Sequence, residues 1–176
     1  MASVTRSEGS PSEAAFMDEI INVYHPDYKN DTPSQKRKNV ERALRGNFQM
    51  SQVLEEAIFC RSLEIRDVPL VNVDIPGMDF DDGSDLKSCT LSFKKNGGGI
   101  HALTGNIQSL KNKTGDIRII LWNDMNKVIE YYFIPNNDIK NLMHKTGIRF
   151  SASRYTGIIE KFVQYRLDTF DDLVRI

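Results

Sequence analysis

The chain has 176 residues, enough for one domain with a substantial core, and its 40% hydrophobic and 27% charged residues describe a soluble globular protein. A formal net charge of −1 gives no whole-chain bias toward any particular partner. No apolar run reaches membrane-spanning length, the N-terminus lacks a signal-peptide layout, and Cys60 and Cys89 have no metal-like spacing, so a cytoplasmic protein with reduced thiols is expected.

Residues 1–12, rich in Ser, Gly and Glu, read as a flexible tail. A serine-capped helix is expected over Ser12–Tyr24, where Phe16, Ile20, Ile21 and Tyr24 recur at helical spacing. Pro26 and Pro33 mark a loop, followed by a basic helix over Ser34–Arg45 with Lys36, Arg37, Lys38, Arg42 and Arg45. A third helix is expected over Asn47–Arg61, its apolar face made by Phe48, Val53, Leu54, Ala57, Ile58 and Cys60.

Strands Val68–Ile75 and Ser84–Phe93 flank an acidic turn. Beyond the glycine-rich basic loop Lys94–Gly99, His101–Lys113 reads as a helix containing Gly105. Asp116–Trp122 and Lys127–Ile134 are strands joined by the turn Asn123–Asn126, and Pro135 stops their pairing. Asn137–Lys145 reads as a short helix, Arg149–Tyr155 as a loop or edge strand, and Tyr155–Phe162 and Thr169–Val174 as short helical ends. The succession implies an α/β fold around a mixed central sheet flanked by helices, with an N-terminal helical segment.

The most informative stretch is Gly77-Met78-Asp79-Phe80-Asp81-Asp82-Gly83-Ser84-Asp85-Leu86-Lys87-Ser88. Asp-Gly favours positive φ and closes hairpins, which would set Asp79 opposite Asp85 with Lys87 on the same face. Two acids that close repel each other, and burying them uncompensated is costly. A divalent cation removes that cost. Mg²⁺ takes carboxylate ligands and keeps several waters for chemistry, so Asp79 and Asp85 are candidate metal ligands. Lys87 would orient or deprotonate a water, or neutralise a phosphate. An acidic, solvated turn with a snorkelling lysine has the same composition. A calcium loop would share the alternation of Asp79, Asp81 and Asp85, but counting from Asp79, glycine falls at position five instead of six and Thr90 holds position twelve.

These residues resemble the active-site motif of the PD-(D/E)XK nucleases, the restriction-endonuclease-like superfamily. Asp79 stands for the first acid and Asp85-Leu86-Lys87 for the D/E-x-K half, in a form similar to that of MutH and of restriction enzymes such as PvuII. No proline directly precedes Asp79, although Pro76 is near, the second acid is Asp instead of the commoner Glu, and the turn is short. Val53-Leu54-Glu55-Glu56 resembles the Leu-Glu step that MutH carries on the helix before the motif, which makes Glu55 a candidate third acid; a surface glutamate on an amphipathic helix is the alternative. The resemblance covers roughly Asn47 to Ile134. It implies a restriction-endonuclease-like core over 47–134, preceded by a helical part at 13–46 and followed by a DNA-contacting and packing part at 135–176. It also implies Mg²⁺, with Mn²⁺ as a substitute, double-stranded DNA as substrate, and a homodimer with one site per strand.

The charge distribution fits such a division. Lys87 through Lys113 includes five Lys, one His and no acid, and Lys140, Lys145, Arg149 and Arg154 occupy another acid-free interval. Lys94, Lys95, Asn96, Lys111 and Lys113 are candidate DNA contacts, as are Arg149, Ser151, Ser153 and Arg154, with two arginines and two hydroxyls in a short span. The leading expectation is a Mg²⁺-dependent, sequence-specific endonuclease of restriction type II kind. The alternatives are a homing or repair nicking enzyme, a catalytically inactive DNA-binding or assembly module on the same fold, and a protein-interaction domain with merely solvated basic segments.

Overall fold

The structure, a computed structural model, describes residues 13–23, 31–44, 51–75, 78–93, 99–100, 103–104, 115–123, 127–144, 147–149, 152–153, 157–158 and 163–176. Three helices come first: α1 (Glu13–Val23), α2 (Pro33–Leu44) and α3 (Ser51–Ile65). Helix α2 opens on a reciprocal cap, in which the Gln35 amide donates to Thr32 Oγ1 at 3.2 Å and the Thr32 amide donates to Gln35 Oε1 at 2.8 Å. Of the helix expected over Asn47–Arg61, residues 51–61 lie in α3, which runs on to Ile65, and residues 47–50 lie outside the described residues.

A ribbon of β1 (Asn72–Ile75) and β2 (Met78–Phe80) leads to the long strand β3 (Asp85–Phe93). Short strands β4 (Gly99–Ile100) and β5 (Leu103–Thr104) precede the central pair β6 (Ile117–Asn123) and β7 (Val128–Ile134). After α4 (Asn136–Leu142) come β8 (Met143–His144), β9 (Gly147–Arg149), β10 (Ala152–Ser153), β11 (Gly157–Ile158), β12 (Arg166–Leu167) and α5 (Phe170–Arg175).

The result is an α/β protein with a mixed sheet in the order β12-β7-β6-β3, and with β4 pairing the far end of β3. Strands β3 and β6 are parallel, from Asp85 opposite Ile117 to Leu91 opposite Asn123, while β6–β7 and β7–β12 are antiparallel. Parallel neighbours require a crossover connection, and the chain between β3 and β6 provides it.

Alternation along the strands divides the sheet into two faces. On one, Leu86, Ile120, Trp122, Ile129 and Tyr131 pack with Phe16 of α1, Val40 of α2, Leu54 and Ile58 of α3, and Phe170 and Leu173 of α5 in a single core. Phe16 and Phe170 meet edge to face at 6.5 Å. The other face of β6 and β7 is also buried, through Ile117, Ile119, Leu121, Val128, Tyr132 and Ile134. Burial on both faces is why these strands read as nearly unbroken apolar runs. Among the described residues no helix is long and apolar enough to cross a membrane.

Three expectations are corrected. Within His101–Lys113, read as a helix, Leu103–Thr104 forms β5 and pairs with β9; the remainder of that segment lies outside the described residues. Within Tyr155–Phe162, read as helical, Gly157–Ile158 pairs with β10. The helix expected over Asn137–Lys145 stops at Leu142 and passes directly into β8. In each case strand pairing overrides the local apolar spacing: β5 through the distant β9, and β8 and β10 through the close neighbours β9 and β11.

Helix α5 is fastened at both ends. Thr169 and Asp172 form a capping box at its start. Arg61 of α3 holds Asp171 by two bonds of 2.8 and 2.9 Å, and Arg66 donates to the carbonyls of Val174, Arg175 and Ile176.

Where β6 begins, Gly115 passes the turn before β3 so closely that a Cβ there would overlap the Gly83 carbonyl and stand 3.1 Å from the Ser84 amide. Gly115→Ala is therefore expected to destabilise the fold by about 3 kcal/mol in urea unfolding, because two backbones must part. A loss under about 0.5 kcal/mol would show that the approach is not tight.

Candidate active site

The acidic motif folds around the turn Phe80–Gly83, closed by the Gly83 amide donating to the Phe80 carbonyl at 3.0 Å. Gly83 takes φ +89°, a value that only glycine adopts without strain. Strand β2 is not laddered to β3 as a regular hairpin. Instead the amides of Asp79 and Phe80 both donate to the Ser84 carbonyl at 3.1 Å, and the Leu86 amide donates to Asp79 Oδ2 at 2.6 Å. A carboxylate thus stands where a backbone carbonyl would continue the ladder, and it draws the Asp79 side chain over the start of β3.

Four ionisable side chains meet there. The carboxyl of Asp79 lies within hydrogen-bonding reach of Asp85 and of Glu55 on α3, and Lys87 Nζ lies 3.0 Å from Asp85 Oδ2. Asp85 is buried and Asp79 half-buried. Burial pushes the Asp79 carboxyl up to about 8, with its hydrogen bond to Asp85 acting in the same direction and the Leu86 amide opposing. Burial raises the Glu55 carboxyl as well, against the lowering effect of its bond to Asp79. Asp81 accepts from the Val71 amide, just before β1, at 3.1 Å and so turns away from Asp79 and Asp85, which breaks the alternation a calcium loop needs.

Residues without an evident local signature support the motif. Burial pushes the Asp82 carboxyl up, but hydrogen bonds from Ser84 and Arg118 outweigh it and hold the group below its ordinary value. Arg118, on β6, is 1% exposed. The only sequence trace of its role is a charge inside the apolar run Ile117–Trp122.

The structure therefore brings Glu55, Asp79, Asp85 and Lys87 together. Of the candidate DNA contacts, Lys94, Lys95, Asn96, Lys111, Lys113, Ser151 and Arg154 lie outside the described residues. Arg149 ends β9 and Ser153 ends β10, placed by their backbones alone.

Among the described residues no three His, Cys, Asp or Glu side chains are grouped so as to hold a metal ion by themselves. Mg²⁺ asks for less: one or two carboxylates, with waters and substrate phosphate as its other ligands. Asp79 and Asp85 fit that demand, because a hard cation relieves the same repulsion that a shared proton relieves here. In comparisons with protein-family models, curated proteins and solved structures, the chain matches none.

A carboxyl that binds its proton more tightly when folded stabilises the fold fully below the ordinary Asp value of about 3.9 and loses that contribution as pH rises through about 8. Metal-free protein should accordingly lose thermal stability between about pH 5 and pH 9. Asp79→Asn keeps an acceptor for Leu86 and a donor for Asp85, and should melt about 3 °C above the parent at the alkaline end. Solvent access to Asp79 holds the effect to that size. Coincident melting profiles followed by circular dichroism would show that no such penalty exists.

Proposed function

We propose that this chain is a Mg²⁺-dependent, sequence-specific DNA endonuclease that hydrolyses phosphodiester bonds, acting as a homodimer of restriction type. The observation that carries this reading is the convergence of Asp79, Asp85, Glu55 and Lys87 from two strands and a helix at the start of β3. A fold gains nothing in stability from crowding desolvated carboxyls, so their placement together points to use. The succession of α3, β1 to β3, a crossover and β6 around a mixed sheet adds support, since it is the succession that the PD-(D/E)XK resemblance leads one to expect.

Asp79 and Asp85 would hold the ion, with Glu55 as a further acceptor. Mg²⁺ or Mn²⁺ bound there would lower the pKa of a water and offset the charge gathering on phosphorus during in-line displacement. Asp85 restrains the ammonium of Lys87 at 3.0 Å, where Lys87 can donate to a phosphate oxygen or orient the attacking water. The basic segments Lys94–Asn96, Lys111–Lys113 and Arg149–Arg154 would neutralise backbone phosphates and supply base contacts.

A second reading, a DNA-binding or assembly module without chemistry, draws on two observations: Lys87 already engages Asp85, and no group of three ligands is formed among the described residues. Supercoiled plasmid with and without Mg²⁺ separates the two. The nuclease should nick or linearise it only with the ion, and Asp85→Ala should reduce the rate by about 10³-fold, the loss of several kcal/mol of transition-state stabilisation. DNA binding by that variant in Ca²⁺ should persist. Undiminished cutting by Asp85→Ala would refute the assignment, and binding without any cutting by the parent would favour the second reading.

A further inference from the structure

We infer that Arg118 is a positioning residue for this site: from a buried place on β6 it fixes the turn Asp82–Ser84, and through it the setting of Asp79 against Asp85, with helix α5 as its counterweight. Arg118 Nε donates to Ser84 Oγ at 3.1 Å, and one terminal nitrogen donates to Asp82 Oδ2 at 3.0 Å and to the Ile176 carbonyl at 2.7 Å. Its other terminal nitrogen donates to the Leu173 carbonyl. The guanidinium also lies 5.3 Å from the centre of the Phe133 ring. A rigid, planar fork with several donors suits this two-sided grip, and lysine cannot reproduce it.

The path onward is short. Asp82 Oδ1 accepts from the Ser84 hydroxyl at 2.6 Å and its amide at 2.8 Å, and the Ser84 carbonyl accepts from the amides of Asp79 and Phe80. Asp79 then accepts from the Leu86 amide. On the opposite side, α5 is tied by Arg61 to α3, the helix that carries Glu55. Arg118 and Arg61 thus close a frame that holds Glu55, Asp79 and Asp85 to one geometry. What the carboxylates are used for rests on the proposed function; how they are held does not.

The test uses the full chain with Asp82→Asn and Arg118→Lys, and Ile129→Val as a stability control from the far end of β7. In ¹H–¹⁵N spectra, the Leu86 amide proton should move upfield in both site variants as its bond to Asp79 loosens, and stay in place in the control. In plasmid cleavage, the Mg²⁺ concentration for half-maximal rate should rise roughly tenfold, with the rate recovering at saturation. Asp82 is partly exposed, so Asp82→Asn keeps the proposal testable if Arg118→Lys does not fold. An unmoved Leu86 amide in folded Asp82→Asn overturns the proposal, as does a moved amide with unchanged Mg²⁺ demand. If the parent cuts no DNA at any Mg²⁺ concentration, the nuclease reading fails, and the Leu86 amide alone decides the positioning role.

Discussion

At the root of the sheet the backbones of Gly83 and Gly115 pass with no side chain between them, and the rest of the molecule depends on that approach. It lets the Asp85 amide donate to the Asp116 carbonyl at 2.9 Å and so begins the parallel register of β3 on β6. The register decides which side chains face which layer. Leu86 enters the core among the helices, and Ser88 bonds the Ala43 carbonyl of α2 at 2.8 Å. Asp85 and Lys87 take the opposite face. A slip of one residue would exchange the two sets, burying a charge pair in the helical core and turning Leu86 away from it.

Holding the acids together works against the fold. Two full charges at hydrogen-bonding distance repel by about 5 kcal/mol at an effective dielectric constant of ~20. In the absence of a cation the site answers by keeping a proton on Asp79 near neutrality. The neighbouring acid Asp82 behaves oppositely, because it faces a guanidinium and two serine donors. Carboxyls a few residues apart are thus driven in opposite directions by what surrounds them, one toward protonation and one toward permanent charge.

Parts of this were legible in the residues. The β6–β7 pair shows as two apolar runs separated by a turn, since both faces are buried. Asp82-Gly83 marks the turn because glycine at positive φ has few substitutes, and Asp79, Asp85 and Lys87 stand at spacings that a sharp bend can gather. Helix α5 shows through Thr169 and Asp172, whose cap is local. The segment between β3 and β6 did not, because β5 pairs with β9, more than forty residues onward.

What the sequence by itself determined is whatever depends on near neighbours: the helices and their caps, the apolar strands, the acidic turn, and the set of residue types able to bind a cation and a phosphate. Tertiary structure alone decided that Glu55 reaches Asp79, that β3 runs parallel to β6, and that Arg118 spends its donors on a turn and on a helix far along the chain. Those contacts join residues remote in sequence. Their energy comes from desolvation and from the fixed direction of a guanidinium, and neither is set until the layers have packed.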